Sequence, residues 1–402
     1  MFLKSATIRH FKSLDNVHVD FAPITVVVGP NGVGKSNFVD ALKFFRDIAH
    51  DGLDHAVISR EGIDRIRQTS KSRPYNISMH FELRPSEDEP DLGSASYQLV
   101  LSGKEGDYRI EGEGAQYLVQ RYVRTDDANG NPDFTTEIEP EAYERKRDGE
   151  LRICGKAYDK KLRGDVVALG QQLDLDVLGA PIAEFAQEWK FCALYPNTLR
   201  KLSPLVREHG LSEDGSNWAS VVRALKKTKN GRQALERIAE VMRSTVPGYR
   251  DIAVETAGSY LVPRMSLLSV EDDRAKEHKF DPVQLSDGTL RVFGILLALY
   301  QQPAPPFLVI EEPEQTVHPG VLPALAEAFK EASSRTQIVI TTHSPHLVDQ
   351  FDPDSIRVAS SKDGLTLISP IKHSQVEAVK RKLMSLQEFM LAEGLQPEIE
   401  AI

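Results

Sequence analysis

Lys35 and Ser36 close the pattern Gly29-Pro-Asn-Gly-Val-Gly-Lys-Ser36, whose residue types suit the binding of a polyphosphate. Glycines at 29, 32 and 34 let the backbone turn tightly, so that successive N–H groups face anionic oxygens. Lys35 brings a point charge to the β- and γ-phosphates, and the Ser36 hydroxyl suits Mg²⁺. Pro30, Asn31, Val33 and Asn37 complete the set expected around the phosphates. A second group lies far along the chain, where the apolar run 306–310 ends in Glu311 and Glu312. Paired acids at a strand end fit a nucleotide hydrolase, one holding the metal shell and the next deprotonating the attacking water. By position Glu311 is the metal-side acid and Glu312 the catalytic base. The run 337–341 then delivers Thr342-His343-Ser344, and His343 is placed to donate a hydrogen bond to the γ-phosphate. Ser286 and the backbone at Gly288, in Leu285-Ser-Asp-Gly-Thr-Leu-Arg291, form another anion-binding feature at a helix start.

These residues need a scaffold that holds strand ends together. Residues 24–28 are a β-branched apolar run without helical spacing, as in a strand buried on both faces. Phe38, Leu42, Phe45 and Ile48 then fall on one face of a helix whose positive end points at the loop. Residues 2–10 and 17–21 read as strands, as do 77–83, 97–101 and 117–124, separated by Gly-rich turns. They predict a mostly antiparallel β lobe attached to the nucleotide core. From 166 to 246 the spacing becomes helical, with Ile182, Phe185, Ala186 and Trp189 in one segment and Trp218, Val221, Val222 and Leu225 in another. Strands resume at 252–254 and 260–270, and the charged stretch 271–281 reads as a mobile loop. From His373 a charged helical tail carries Val379, Leu383, Leu386 and Met390. The expected division is 1–150 for the first part of the head with its β lobe, 151–258 for a helical insert, 259–372 for the second part, and 373–402 for the tail.

The composition restricts the alternatives. With 402 residues, 41% hydrophobic and 27% charged, the chain has the make-up of a globular protein. A net charge of −10 argues against an overall basic nucleic-acid binder. Two basic clusters, Lys156, Lys160, Lys161 and Arg163, then Lys226, Lys227, Lys229 and Arg232, read first as solvated surface. The run 292–300 is too short to cross a bilayer, and the start of the chain lacks a signal-peptide pattern. No membrane partner and a cytoplasmic location are therefore expected. Cys154 and Cys192 have no metal-ligand spacing and read as buried or inert thiols.

In this order, the elements resemble the ABC-type ATPase heads of the RecF, SMC and OLD group. Ile8-Arg9-His10-Phe11-Lys12-Ser13 is similar to the first strand of such heads. Leu-Ser-Asp-Gly-Thr looks like their signature, Glu311-Glu312-Pro313-Glu314 like the Walker B motif, and Thr342-His343 like the switch histidine. The resemblance implies an α/β, P-loop NTPase fold of ABC-ATPase type with an antiparallel β lobe and a helical insert. It also implies ATP and Mg²⁺ as ligands and a homodimer closed around ATP, in which Ser286 meets the γ-phosphate held by the other subunit. Two positions depart from the pattern. Glu311 stands where Asp is usual, and Asp287 where Gly is usual, which brings a negative charge near a phosphate. Gln68 is the candidate for the glutamine that bridges lobes in such heads.

The function expected from this resemblance is an ATP-driven switch in DNA maintenance or anti-phage defence. It would work with a separate effector, a nuclease among the candidates, and DNA is a possible partner. The competing expectation is a regulatory or scaffold protein that restrains a partner toxin or nuclease without touching DNA. A transporter subunit fits poorly, because the interval from Lys35 to Ser286 is too long. The stretch after His343 reads as too short for a TOPRIM nuclease domain.

Overall fold

The computed structural model describes residues 1–69, 75–85, 93–126, 132–173, 176–205, 210–271 and 274–398. The chain divides into two units. One comprises Met1–Ala22, Pro30–Trp189 and Ala359–Ser369; the other Pro23–Gly29, Lys190–Val358 and Pro370–Ile402. Each therefore gathers segments distant in sequence.

The first unit is built on an antiparallel ladder. Strand Phe2–Phe11 pairs with Leu14–Asp20 on one side, Ile8 opposite Val17, and with Ile77–Arg84 on the other, Ile8 opposite Met79. The ladder continues through Ala95–Lys104, Asp107–Asp126, Pro132–Lys146 and Leu151–Ile153. Ile77, Met79, Phe81 and Leu83 are buried and alternate with more exposed neighbours, the period of a half-buried strand. The helix Lys35–Asp51 buries Phe38, Leu42, Phe45 and Ile48. Phe45 stacks on Phe81 at 4.1 Å between ring centroids and meets Trp189 edge-on at 5.5 Å. Such aromatic pairs add about 1 kcal/mol each beyond their burial. This packing fixes the helix whose first turn carries Lys35 and Ser36.

A parallel sheet forms the centre of the second unit, in the order Lys190–Cys192, Phe307–Glu311, Gln337–Thr342, Ile24–Val28 and the start of Ile356–Lys362. All residues of Ile24–Val28 and Gln337–Thr342 are buried, as the unbroken apolar runs require. Helices Trp218–Lys227, Lys229–Thr245, Asp287–Tyr300 and Leu322–Ala332 contribute to its core through Trp218, Leu225, Met242, Phe293, Leu297 and Phe329. The indole of Trp218 lies edge-on to Phe293 at 5.4 Å and donates to the Leu199 carbonyl at 2.9 Å.

Two expectations are corrected. Residues 271–281 do not form a loop throughout, because Arg274–Phe280 is a strand paired antiparallel with Met265–Glu271. Lys276, Glu277 and Lys279 are exposed, and charges are tolerated on a strand paired on one side only. Their density disguised the strand. The region expected to be helical also contains the strand Lys190–Cys192, in parallel register with Leu308–Ile310. At three residues it is too short for periodicity to reveal. The tail forms the helices His373–Lys380 and Leu386–Ala392. No helix among the described residues is long and apolar enough to cross a membrane.

Candidate functional site: a phosphate loop and a cluster of acids

In the first unit the loop runs into the helix Lys35–Asp51 with Gly32 at φ 80° and Gly34 at φ 100°, a region that disfavours side chains. A Cβ on Gly34 would run into Thr366 Oγ1 and lie 2.8 Å from Ser13 Oγ. Glycine is therefore required there by conformation and by space. Gly34 caps the helix without a side-chain hydrogen bond, and no acid occupies the first turn. The helix thus presents N–H groups and its positive end to an anion. Lys35 is 6% exposed, and its Nζ donates to the Pro30 carbonyl at 2.9 Å. A polar chain holds the loop from behind. Thr366 Oγ1 donates to the Val33 carbonyl at 2.8 Å and lies 2.6 Å from Ser13 Oγ, which accepts from Asn37 Nδ2 at 2.7 Å. Thr366 escaped sequence reasoning, since nothing local marks a threonine so far along the chain as a loop support. Gln68, the candidate bridging glutamine, is buried in this unit, with its N–H on the His10 carbonyl at 2.9 Å.

In the second unit, three neighbouring parallel strands end at the same edge. Glu311 pairs with Thr341, and Thr342 with Val28, so Gly29, Glu312 and His343 leave the sheet side by side. Ligand sites of open parallel sheets lie at such carboxyl ends. Gly29 N–H reaches the Thr342 carbonyl at 3.4 Å, and Glu312 N–H donates to Thr341 O at 2.8 Å. Glu312 adopts φ 45°, a left-handed conformation that costs a non-glycine residue about 1–3 kcal/mol. Its carboxylate accepts a hydrogen bond from the Gln315 amide and lies 3.6 Å from His343 Nδ1. Sequence reasoning did not assign a role to Glu314. Its Oε1 accepts from the Thr342 hydroxyl at 2.6 Å and from the His343 N–H at 3.1 Å, and lies 3.5 Å from His343 Nδ1. Glu314 thus fixes the turn that presents His343, which is exposed, while Glu312 is half-buried.

Ser286 is exposed at the start of the helix Asp287–Tyr300, where its Oγ accepts from Thr289 N–H at 3.2 Å. A Cβ on Gly288 would stand 2.8 Å from the Thr316 carbonyl, so this position admits only glycine without rearrangement. The charge expected at Asp287 is not left bare. Arg200 lies 2.5 Å from its carboxylate and also donates to the Leu285 carbonyl at 2.9 Å.

Members of both basic clusters are engaged locally. Lys161 pairs with Asp148 at 2.5 Å, Arg163 with Asp165 at 3.4 Å, and Lys226 donates to the Ile252 carbonyl at 2.5 Å. Cys192 is buried, and burial pushes its thiol pKa up to about 12, whereas Cys154 is exposed.

The donors fit the ligands implied by the motif. The N–H groups of the helix start and the Lys35 charge suit a triphosphate. A Mg²⁺ held mostly by phosphates and water needs only one or two protein oxygens, of the hydroxyl and carboxylate kind that Ser36 and Glu311 supply.

A phosphate loop at a helix start in the first unit, and strand-end acids beside a histidine in the second, belong to an ATPase head of the ABC, SMC and RecF kind on a P-loop NTPase fold. More particularly, the chain belongs to the family described as "AAA domain, putative AbiEii toxin, Type IV TA system", which matches residues 24–349. It is similar to the OLD nuclease of Thermus scotoductus, 22% identical over 94% of this chain and 66% of the relative. It is also similar to the chromosome partition protein Smc of Synechocystis sp., 28% identical over 42% of this chain and 14% of the relative. With the replication and repair protein RecF of Thermosynechococcus vestitus it shares 32% identity over 21% of this chain and 24% of that one. The chain therefore spans less than two thirds of these relatives. In fold it is similar to an SMC head bound to the C-winged helix domain of ScpA, with TM-score 0.54 and 15% identity over 94% of this chain and 99% of that one. The SMC head with an extended coiled coil from Pyrococcus furiosus gives TM-score 0.53 and 12% identity over 95% and 99%.

Proposed function

We propose that the protein binds and hydrolyses ATP and acts as a switch that pairs with a second copy of itself while ATP is bound. The observation that carries this reading is the shared carboxyl edge of Ile24–Val28, Phe307–Glu311 and Gln337–Thr342, from which the loop, the acids and the histidine emerge. In this reading the loop from Gly29 to Asn37 holds the phosphates, and Lys35 offsets charge on the transferred group. Glu312 takes the proton of the attacking water, and His343 donates toward the γ-phosphate. Mg²⁺, on Ser36 and Glu311, would neutralise charge on the phosphate oxygens. Ser286 and Gly288 serve the nucleotide of the second copy.

The names of the Smc and RecF relatives support work in DNA maintenance; in this reading the switch serves that or phage defence, in the cytoplasm and through a separate effector such as a nuclease. A second reading draws on the family description, which names a toxin system. In it, the ATP-bound form restrains a toxin or nuclease and DNA is not contacted.

The test is ATP turnover by the purified chain and by Lys35→Ala at low salt, with and without duplex DNA. Turnover lost in Lys35→Ala supports the ATPase. Stimulation by DNA that fades as salt rises supports the DNA switch. Turnover indifferent to DNA favours the partner-restraining reading, and equal turnover in Lys35→Ala would overturn the assignment.

A further inference from the structure

Helix Asp287–Tyr300 buries every residue from Leu290 to Tyr300, and a single charged side chain, Arg291, lies within that stretch. Burying a guanidinium is costly unless its donors are used. Arg291 is 2% exposed, and burial lowers its pKa from the usual arginine range. Its Nη2 donates to two successive carbonyls, Glu311 O and Glu312 O, each at 2.9 Å. Its Nε has no hydrogen-bond partner. The residue it holds, Glu312, is the one in left-handed conformation, and such a conformation persists only where its surroundings over-determine it. Thr341 O fixes the N–H side of Glu312 and Arg291 the carbonyl side. Ser286, at the exposed start of the same helix, lies just over one turn from Arg291.

We infer that Arg291 is a positioning residue that couples the Ser286 end of its helix to the aim of Glu312. The inference rests on the ATPase reading above and deepens it. The guanidinium is planar, so the two N–H bonds of its Nη2 point in fixed directions, and a group that bridges consecutive carbonyls through them transmits displacement rather than absorbing it. When a ligand engages Ser286 and shifts the helix, the Glu311–Glu312 peptide moves with it, and so does the carboxylate that must meet the water. Hydrolysis is thereby tied to occupation of the signature, while nucleotide affinity, which depends on the phosphate loop, is not.

The experiment compares Arg291→Lys and Arg291→Met in the full chain, measuring ATP turnover, binding of a fluorescent ATP analogue, and melting. Arg291→Met should keep analogue affinity within about threefold and lower kcat about a hundredfold, the scale of a small misplacement of a reacting group. Arg291→Lys, with a charge but freely rotating donors, should restore part of that loss, to about tenfold below the parent. In a Glu312→Gln background Arg291→Met should add nothing further, because both act on one step. Should Arg291→Met fail to fold, Arg291→Lys carries the same comparison. Parent-like kcat in Arg291→Lys, or losses that add in the double variant, overturn the inference while Lys35-dependent turnover leaves the ATPase reading standing. Absence of any Lys35-dependent turnover in the parent overturns that reading, and this inference with it.

Discussion

Two buried carboxylates, Glu113 in the antiparallel ladder and Glu314 at the acid edge, meet opposite treatment. Glu113 is 2% exposed and accepts from Ala168 N–H at 2.7 Å, Leu169 N–H at 2.9 Å, Tyr143 OH at 3.1 Å and Tyr97 OH at 3.2 Å. Although Arg145 nearby leaves its Nε without a partner, the carboxylate itself is fully answered. At Glu314 one oxygen carries all the hydrogen bonds, while Oε2, also buried, has none. Beside it stand the unsatisfied Nε of Arg291 and the strained backbone of Glu312. A satisfied polar network fixes a fold, whereas an under-satisfied one is kept where the chain must do something else. The difference separates a structural anchor from a working site without reference to motifs.

The sharpest way to break this contrast is to remove each carboxylate. Glu113→Ala strands two hydroxyls and two N–H groups in the core and should cost about 3–5 kcal/mol of stability. Denaturant melts read that loss, and turnover per folded molecule should stay at the parent value. Glu314→Ala should do the reverse, lowering ATP turnover about tenfold by freeing Thr342 and His343, with a stability loss of only about 1–2 kcal/mol. If Glu314→Ala melts the chain and spares turnover, the acid edge is a structural anchor too.

A smaller effect is expected at the signature. The Arg200–Asp287 pair is partly exposed, so Arg200→Ala should weaken turnover only about threefold. Arg200→Ala combined with Asp287→Ala should recover most of it, because the uncompensated charge is then gone; no recovery would locate the role of Arg200 elsewhere.

The smallest effect concerns pH. Burial raises the Glu113 pKa above the usual glutamate range, with the N–H donors, Tyr143 and Arg145 opposing it. The folded chain then holds this proton to higher pH than the unfolded chain does. Its contribution to stability is full below the unfolded value of about 4.3 and is lost as pH rises through the raised folded value. Glu113→Gln cannot titrate, so the stability of the parent relative to this variant should fall as pH rises across that window. A constant difference would show that the carboxyl titrates normally.

Much of the candidate site was legible because its residues are close in sequence. A strand, a glycine loop with Lys35 and a helix with Phe38, Leu42, Phe45 and Ile48 on one face are contiguous. So is an apolar strand ending in Glu311 and Glu312. What escaped is carried by partners remote in sequence. Thr366 supports Val33, Glu113 gathers Ala168 and Leu169, and Arg200 reaches Asp287. None of these pairings leaves a spacing that a single chain displays. Arg291 did leave a trace, a lone charge in the apolar run from Leu290 to Tyr300, but its meaning depends on which carbonyls it meets. The strand Arg274–Phe280 was hidden by charges that one-sided pairing permits, and Lys190–Cys192 by its brevity.

The central claim is that the strained Glu312 is the base of an ATPase. The most direct measurement is phosphate release by the parent chain and by Glu312→Gln, at ATP concentrations giving equal occupancy, with dimer content followed by light scattering. The account predicts that Glu312→Gln binds ATP with parental affinity, releases phosphate about a thousandfold more slowly, and accumulates as an ATP-bound dimer. Phosphate release at the parent rate would contradict it, whatever the state of association.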